Sequence, residues 1–213
     1  MGTARVTTAT ILKRHAPLWK VTCRNPFVGG VRDGSLPVEV FDRWLIQHGR
    51  FSQGLFPAIC RITAAAPERD RQVLLEILRS LSNHLSSLER AIAARGLDPE
   101  TPLHPVCRAY VDYTVSLGFE PYTVSLVALW TQLRAYRDAW KWAHPGAPKF
   151  RGAVRHFYAP AYEQLQRDLS RAADAALAEA SRQEIQRAEQ AVLDVAQYEL
   201  AFWVMTMENP SEP

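Results

Sequence analysis

The stretch PERDRQVLLEILRSLSNHLSSLERAIAARG, from Pro67 to Gly96, decides the fold class. It opens on a proline, keeps helical periodicity throughout, and closes on Gly96, a residue suited to the position just past a helix end. No Asn-Gly or Asp-Gly turn divides it into strand-like halves. The spacing predicts one helix from Pro67 to about Arg95. On both sides proline and glycine punctuate the chain, and nearly every segment between those marks has the same helical period.

Upstream, a helix is predicted from Pro37 to Thr63, with Ser35 as N-cap and Pro37 in the first turn. Pro57 should bend it, because proline removes one backbone bond. Residues Asn25 to Gly34 read as a loop, on the turn chemistry of Gly29-Gly30 and Asp33-Gly34. Segment 6–23 carries Ile11, Leu12, Leu18 and Trp19 at helical spacing, with Pro17 kinking it or opening a new turn. Downstream of a proline-rich connection, Asp98 to Pro105, helices are expected at about 105–117, 121–143, 147–169 and 173–208. The expectation is an all-α fold of seven or eight helices, forming one domain over residues 1–213.

Composition narrows the function. The chain has 213 residues, 47% hydrophobic and 22% charged, enough to bury a core without disulfides or a structural metal. Twenty-five Lys and Arg against 22 Asp and Glu leave +3, too little to argue for nucleic acid or an anionic membrane. Cys23, Cys60 and Cys107 are far apart and form no CxxC, which fits free thiols in a reducing cytoplasm. No signal-peptide apolar run and no stretch of bilayer-spanning length is read in the sequence.

Three helices place a polar group in line with their own apolar stripe. His48 follows Phe41, Trp44 and Leu45; Gln132 lies among Leu129, Leu133 and Tyr136; Glu199 lies between Val195 and Phe202. Each has a plain structural reading: a core histidine, a core amide bridge, an ion pair with one of the many arginines. Each also has a functional one, since three such residues on three helices suggest a polar pocket inside a bundle. Glu199 is the most informative, because a buried carboxylate needs a partner or a proton. A tyrosine or His48 is the expected partner. Phe51, Tyr110, Tyr113, Trp130, Tyr136, Trp140, Phe157, Tyr158, Phe202 and Trp203 could stack on a flat ring or simply fill the core.

At Asn25-Pro26-Phe27, Asp33-Gly34-Ser35-Leu36-Pro37, Phe41 and Leu45-Ile46-Gln47 the chain resembles the TenA/thiaminase II family. Tyr198-Glu199-Leu200-Ala201-Phe202-Trp203 resembles that family's closing motif, and Tyr110 fits a tyrosine between the two. The resemblance spans about residues 15–207 and implies a haem-oxygenase-like helical bundle, shared with the oxidase PqqC. It implies that Glu199 is the catalytic acid/base. It also implies departures: His48 stands where the family has an aspartate, Phe51 where it has a tyrosine, and Phe157, next to Tyr158, where it has another. The nucleophilic cysteine falls at or near Gln132, and an amide cannot attack as a thiolate does. Replacing the aspartate by His48 supplies a donor or a cation, which would retune the site toward a different, more electron-rich or anionic ligand.

The leading expectation is therefore a TenA-like protein that binds a small aromatic heterocycle of thiamin metabolism, without cysteine-dependent thiaminase hydrolysis. Its pocket would be built from His48, Phe51, Tyr110, Asp112, Gln132, Tyr136, Phe157, Tyr158 and Trp203 around Glu199. The alternatives are a non-catalytic or regulatory protein on the same fold, or a PqqC-like oxidative enzyme. A di-iron centre is not expected: the run from His156 to Glu163 lacks the ligand pattern, and His84 and Glu89 stand five apart on different faces. No metal and no cofactor are expected, and His15 reads as a surface histidine rather than a haem ligand. The resemblance implies a homo-oligomer, dimer or tetramer, with no nucleic-acid or membrane partner.

Overall fold

The computed structural model describes residues 5–158 and 160–208, all helix and connection with no strand among them. Ten helices follow in order: α1 Thr8–Arg14, α2 Ala16–Cys23, α3 Pro26–Asp33, α4 Val38–Ala65, α5 Glu68–Ala94, α6 Pro105–Leu117, α7 Tyr122–Ala143, α8 Arg151–Phe157, α9 Pro160–Glu179 and α10 Arg182–Met205. The all-α reading holds, and the count exceeds the expected seven or eight for local reasons. Segment 6–23 divides at His15, just ahead of Pro17, so that α1 and α2 are separate. The helix expected over 147–169 is instead α8 and the start of α9, with residue 159 outside the described residues. Ser181 caps α10 in a reciprocal box with Glu184, so that helix begins well after residue 173.

The stretch read as a loop, Asn25 to Gly34, is mostly helix. Asn25 accepts a hydrogen bond from the Val28 amide at 3.0 Å, and Pro26 occupies the first helical position, where its missing N–H is harmless. Only Gly34 is turn-like, left-handed at φ 88°. Gly30 has a packing role, because a Cβ there would lie 2.9 Å from both the backbone nitrogen and the Cβ of Leu36. Ser35 is not an N-cap: its amide donates to Asp33 Oδ1, and Pro37 precedes the first turn of α4. That helix continues through Pro57 to Ala65.

α7 is the structural axis. It is buried on nearly all sides, as expected of a helix enclosed by others. It packs on α10, α9, α2, α3 and α4, while α4 packs on α5 and α6. The aromatic core gathers where α4, α7 and α10 meet: Trp44, Trp140 and Trp203 are fully enclosed there, with Phe27 from α3 against Trp44 and Trp203. Among the described residues no helix is long and apolar enough to cross a membrane.

Candidate functional site

Beside that aromatic core, α4, α5, α6, α7, α9 and α10 leave a cavity whose polar lining includes His48, Ser52, Ser80, His84, Tyr110, Gln132, Tyr136, Tyr162 and Glu199. Water-sized molecules can centre themselves in about 60 Å³ of it, room for several waters. The void extends one water radius beyond that locus on every side, so a single aromatic ring is of the right scale. The rest of the wall is apolar and aromatic, including Trp44, Phe51, Phe202 and Trp203.

Glu199 faces this interior because Val195, Phe202 and Trp203, on the same side of α10, are buried with it. The carboxyl is 6% exposed, and the Tyr110 hydroxyl donates to Oε1 at 2.7 Å. Tyr110 is held in place by Phe51 on one side, 4.5 Å between ring centres, and Tyr198 at 5.1 Å. Burial raises the Glu199 pKa from 4.5 to about 7, and the Tyr110 bond pulls only partly the other way. The same burial, with the carboxylate beside it, pushes the Tyr110 phenol well up. Among the described residues lining the cavity there is no arginine to make the ion pair with Glu199; its partner is a tyrosine.

His48 is fixed by a column of near-parallel rings. Tyr136 lies 5.2 Å from it on one side and Trp44 4.7 Å on the other, with Trp203 stacked beyond Trp44 at 5.6 Å. Its Nε2 meets Nε2 of His84, on α5, at 2.9 Å. Burial holds the His48 imidazole neutral, with His84 and His156 adding to the effect. Burial, with His156 beside it, pushes His84 down to about 4. The expected cation at position 48 is therefore absent, and the lining residues include no lysine or arginine to attract an anion.

Gln132 is buried and donates from Nε2 to the Thr114 hydroxyl at 2.7 Å. The Tyr136 hydroxyl is buried with no partner among the described residues. His48, Phe51, Tyr110, Gln132, Tyr136, Glu199 and Trp203 thus meet on one cavity, while three expected residues do not. Asp112 is on the exposed side of α6, two residues from Tyr110 and hence on another face. Phe157 stands behind the wall, edge-on to Trp44 at 5.3 Å and against Trp140 at 4.8 Å. Tyr158 ends α8 and donates to Glu163 at 2.9 Å.

The sequence reading placed neither Trp44 nor Tyr162 in the pocket and weighed His84 only as a metal ligand, not as a lining residue. The signal for His84 was present: Ile77, Leu81, His84 and Leu88 repeat at helical spacing, which places the histidine on the buried stripe of α5. Three or more His, Cys, Asp or Glu side chains that could hold a metal do not gather anywhere among the described residues. None of the lining residues is a cysteine. Burial raises both internal thiols, Cys107 to about 12 and Cys23 further, and Cys60 is exposed.

The chain is thus an all-helical bundle closed around an aromatic cavity, with one buried carboxyl in its wall. The chain belongs to the TENA/THI-4/PQQC family, whose sequence model matches residues 12–209. It is 25% identical over 218 residues to the probable bifunctional TENA-E protein of Glycine max, covering 95% of this chain and 93% of that one. A TenA homologue from Pyrococcus furiosus superposes with a TM-score of 0.88 at 19% identity, over 93% of this chain and 98% of that one. A protein from Sulfolobus solfataricus assigned as a TenA-like thiaminase superposes with a TM-score of 0.78 at 17% identity, over 95% and 96%. These relatives connect the chain to thiamin-related proteins in general.

Proposed function

We propose that the cavity binds a small, uncharged aromatic heterocycle of the aminopyrimidine kind found in thiamin, and that Glu199 is the group that exchanges a proton with it. The observation that carries this reading is the Glu199 carboxyl itself: buried in an aromatic wall, held by Tyr110, with a pKa brought to about 7. Near neutrality it is present in both forms. It can therefore donate to a ring nitrogen or accept a proton from an attacking water, which is what an acid/base group requires.

Three further features support the reading. The aromatic lining suits a flat ring. The ionisable lining groups other than Glu199 are tyrosines and two histidines held neutral, so a phosphate ester would be desolvated there without compensation. Any hydrolysis would use water as nucleophile, because no cysteine lines the cavity, and Gln132, at or near which the resemblance places the family's cysteine, has its amide engaged by Thr114. A function in homo-oligomers, as the family resemblance implies, belongs to the same proposal.

Thermal unfolding with 4-amino-5-hydroxymethyl-2-methylpyrimidine, its phosphate ester and thiamin tests it. The free pyrimidine is expected to stabilise the fold, by about 2.7 kcal/mol at a hundred times its dissociation constant. The phosphate ester should do less. Glu199→Gln should weaken the pyrimidine effect. No stabilisation by any of the three, or stabilisation untouched in Glu199→Gln, would overturn the assignment.

A further inference from the structure

His48 and His84 approach each other from different helices, α4 and α5, and each makes its only hydrogen bond among the described residues with the other. His48 is clamped between Trp44 and Tyr136 and cannot swing away from this contact. Two ring nitrogens 2.9 Å apart are held by one proton between them. Two N–H groups would repel each other, and so would two lone pairs.

Both imidazoles are neutral near pH 7, so each carries a single N–H. Their tautomers are therefore coupled. When His48 donates from Nε2, its Nδ1 is a bare acceptor and His84 carries its proton on Nδ1. When His84 donates from Nε2, His48 carries its proton on Nδ1 and His84 Nδ1 is bare. Passing from the first arrangement to the second moves one proton across the Nε2–Nε2 bond. One proton also leaves His84 Nδ1 and one is taken up at His48 Nδ1, both through water, so the charge is unchanged. The bridging bond survives in both arrangements, so neither leaves a buried nitrogen unmatched at the contact. A carboxylate at position 48 would lack this freedom, since it only accepts.

We propose that the His48–His84 pair is an adaptable donor–acceptor subsite, which lets the cavity take heterocycles bearing either an amino or an oxo group at the same ring position. The amino group donates to bare Nδ1 of His48; the oxo group accepts from the protonated form of the same nitrogen. This rests on the heterocycle reading given above and specifies its substrate class.

Calorimetric titration of the full chain with 2-methyl-5-hydroxymethylpyrimidines bearing a 4-amino or a 4-oxo group tests the pair. The two dissociation constants should agree within about threefold in the natural protein. His84→Gln should keep that parity, because an amide both donates and accepts. His84→Glu puts a group that only accepts when ionised opposite Nε2 of His48, fixes the His48 proton on Nε2, and should drive the two constants apart in favour of the amino ligand by about tenfold or more. Nitrogen NMR of the histidine-labelled natural protein gives a second readout that needs no variant to fold. There the Nδ1 signals of His48 and His84 should move in opposite senses, with the sense reversing between the two ligands. Binding of one ligand to the near exclusion of the other, parity that persists in folded His84→Glu, or Nδ1 signals that ignore the ligand would each overturn the inference while leaving the heterocycle reading intact. Failure of both pyrimidines to bind would overturn both.

Discussion

Glu199→Gln separates the charge of this side chain from its shape. The amide has nearly the same volume, and its oxygen can still accept from the Tyr110 hydroxyl, so the 2.7 Å contact survives. What disappears is the ionised form. The native carboxyl titrates at about 7 and an unfolded one at 4.5, so between those values the unfolded chain has released its proton and the folded chain has not. Stability contributed by this group is therefore intact below pH 4.5, falls through the window to pH 7, and stays low above it. The rise from 4.5 to about 7 corresponds to roughly 3 kcal/mol. Glu199→Gln should thus be more stable than the natural protein by up to roughly 3 kcal/mol at about pH 8, with the difference closing at about pH 4.5. Urea unfolding followed by tryptophan fluorescence at a series of pH values measures this directly. A destabilisation of about 3–5 kcal/mol at about pH 8 would mean that the carboxylate is ionised and paired, and would refute the reasoning. A difference that does not vary with pH would refute it equally.

The histidines give the opposite limb: His84, lowered from 6.5 to about 4, makes stability fall as the pH drops through that range, and His84→Phe should flatten it in the same unfolding series. Alkylation with iodoacetamide should modify Cys60 and spare Cys23 and Cys107, with pyrimidine binding unchanged after the reaction; peptide mass spectrometry and the thermal shift check the two halves. Gly30→Ala, which drives a methyl group against Leu36 at 2.9 Å, should destabilise by about 1–3 kcal/mol in denaturant unfolding.

The long helices were legible because each carries its own stop signals and a continuous apolar stripe. α6 and α7 fall within a residue of the expected bounds, at Pro105–Leu117 and Tyr122–Ala143. The short helices were not. In α3 the pair Gly29-Gly30 looks like turn chemistry, yet Gly30 is glycine because Leu36 leaves no space for a Cβ. The stronger local signal was Asn25-Pro26, a cap followed by a proline at the first helical position. For the site, the three polar residues on apolar stripes do line one cavity, together with Tyr110 and Trp203. Position along a single helix was enough to turn them inward. It was not enough for Phe157 and Tyr158, since α8 is short and its exit angle is set by contacts with α4 and α7 that no local pattern records.

The charge of the site was the least legible property, and it bears most on function. From the sequence His48 is a histidine replacing a carboxylate, which invites an imidazolium and an anionic ligand. The folded chain argues against the imidazolium through two facts that only tertiary structure supplies: the ring is sealed between Trp44 and Tyr136, and a second histidine from another helix shares its proton. Desolvation penalises the charged form, and a neighbouring imidazole that already accepts or donates the bridging bond removes the reason to take up another proton. With His48 neutral, the remaining candidate for charge in the cavity is Glu199, and burial holds it near half-ionised at neutrality. A cavity of that kind does not attract a ligand by charge. In the proposed function such a cavity selects by ring shape and by hydrogen bonds at the His48–His84 pair and at Glu199, and the proton that Glu199 gives or takes is the chemical step assigned to it.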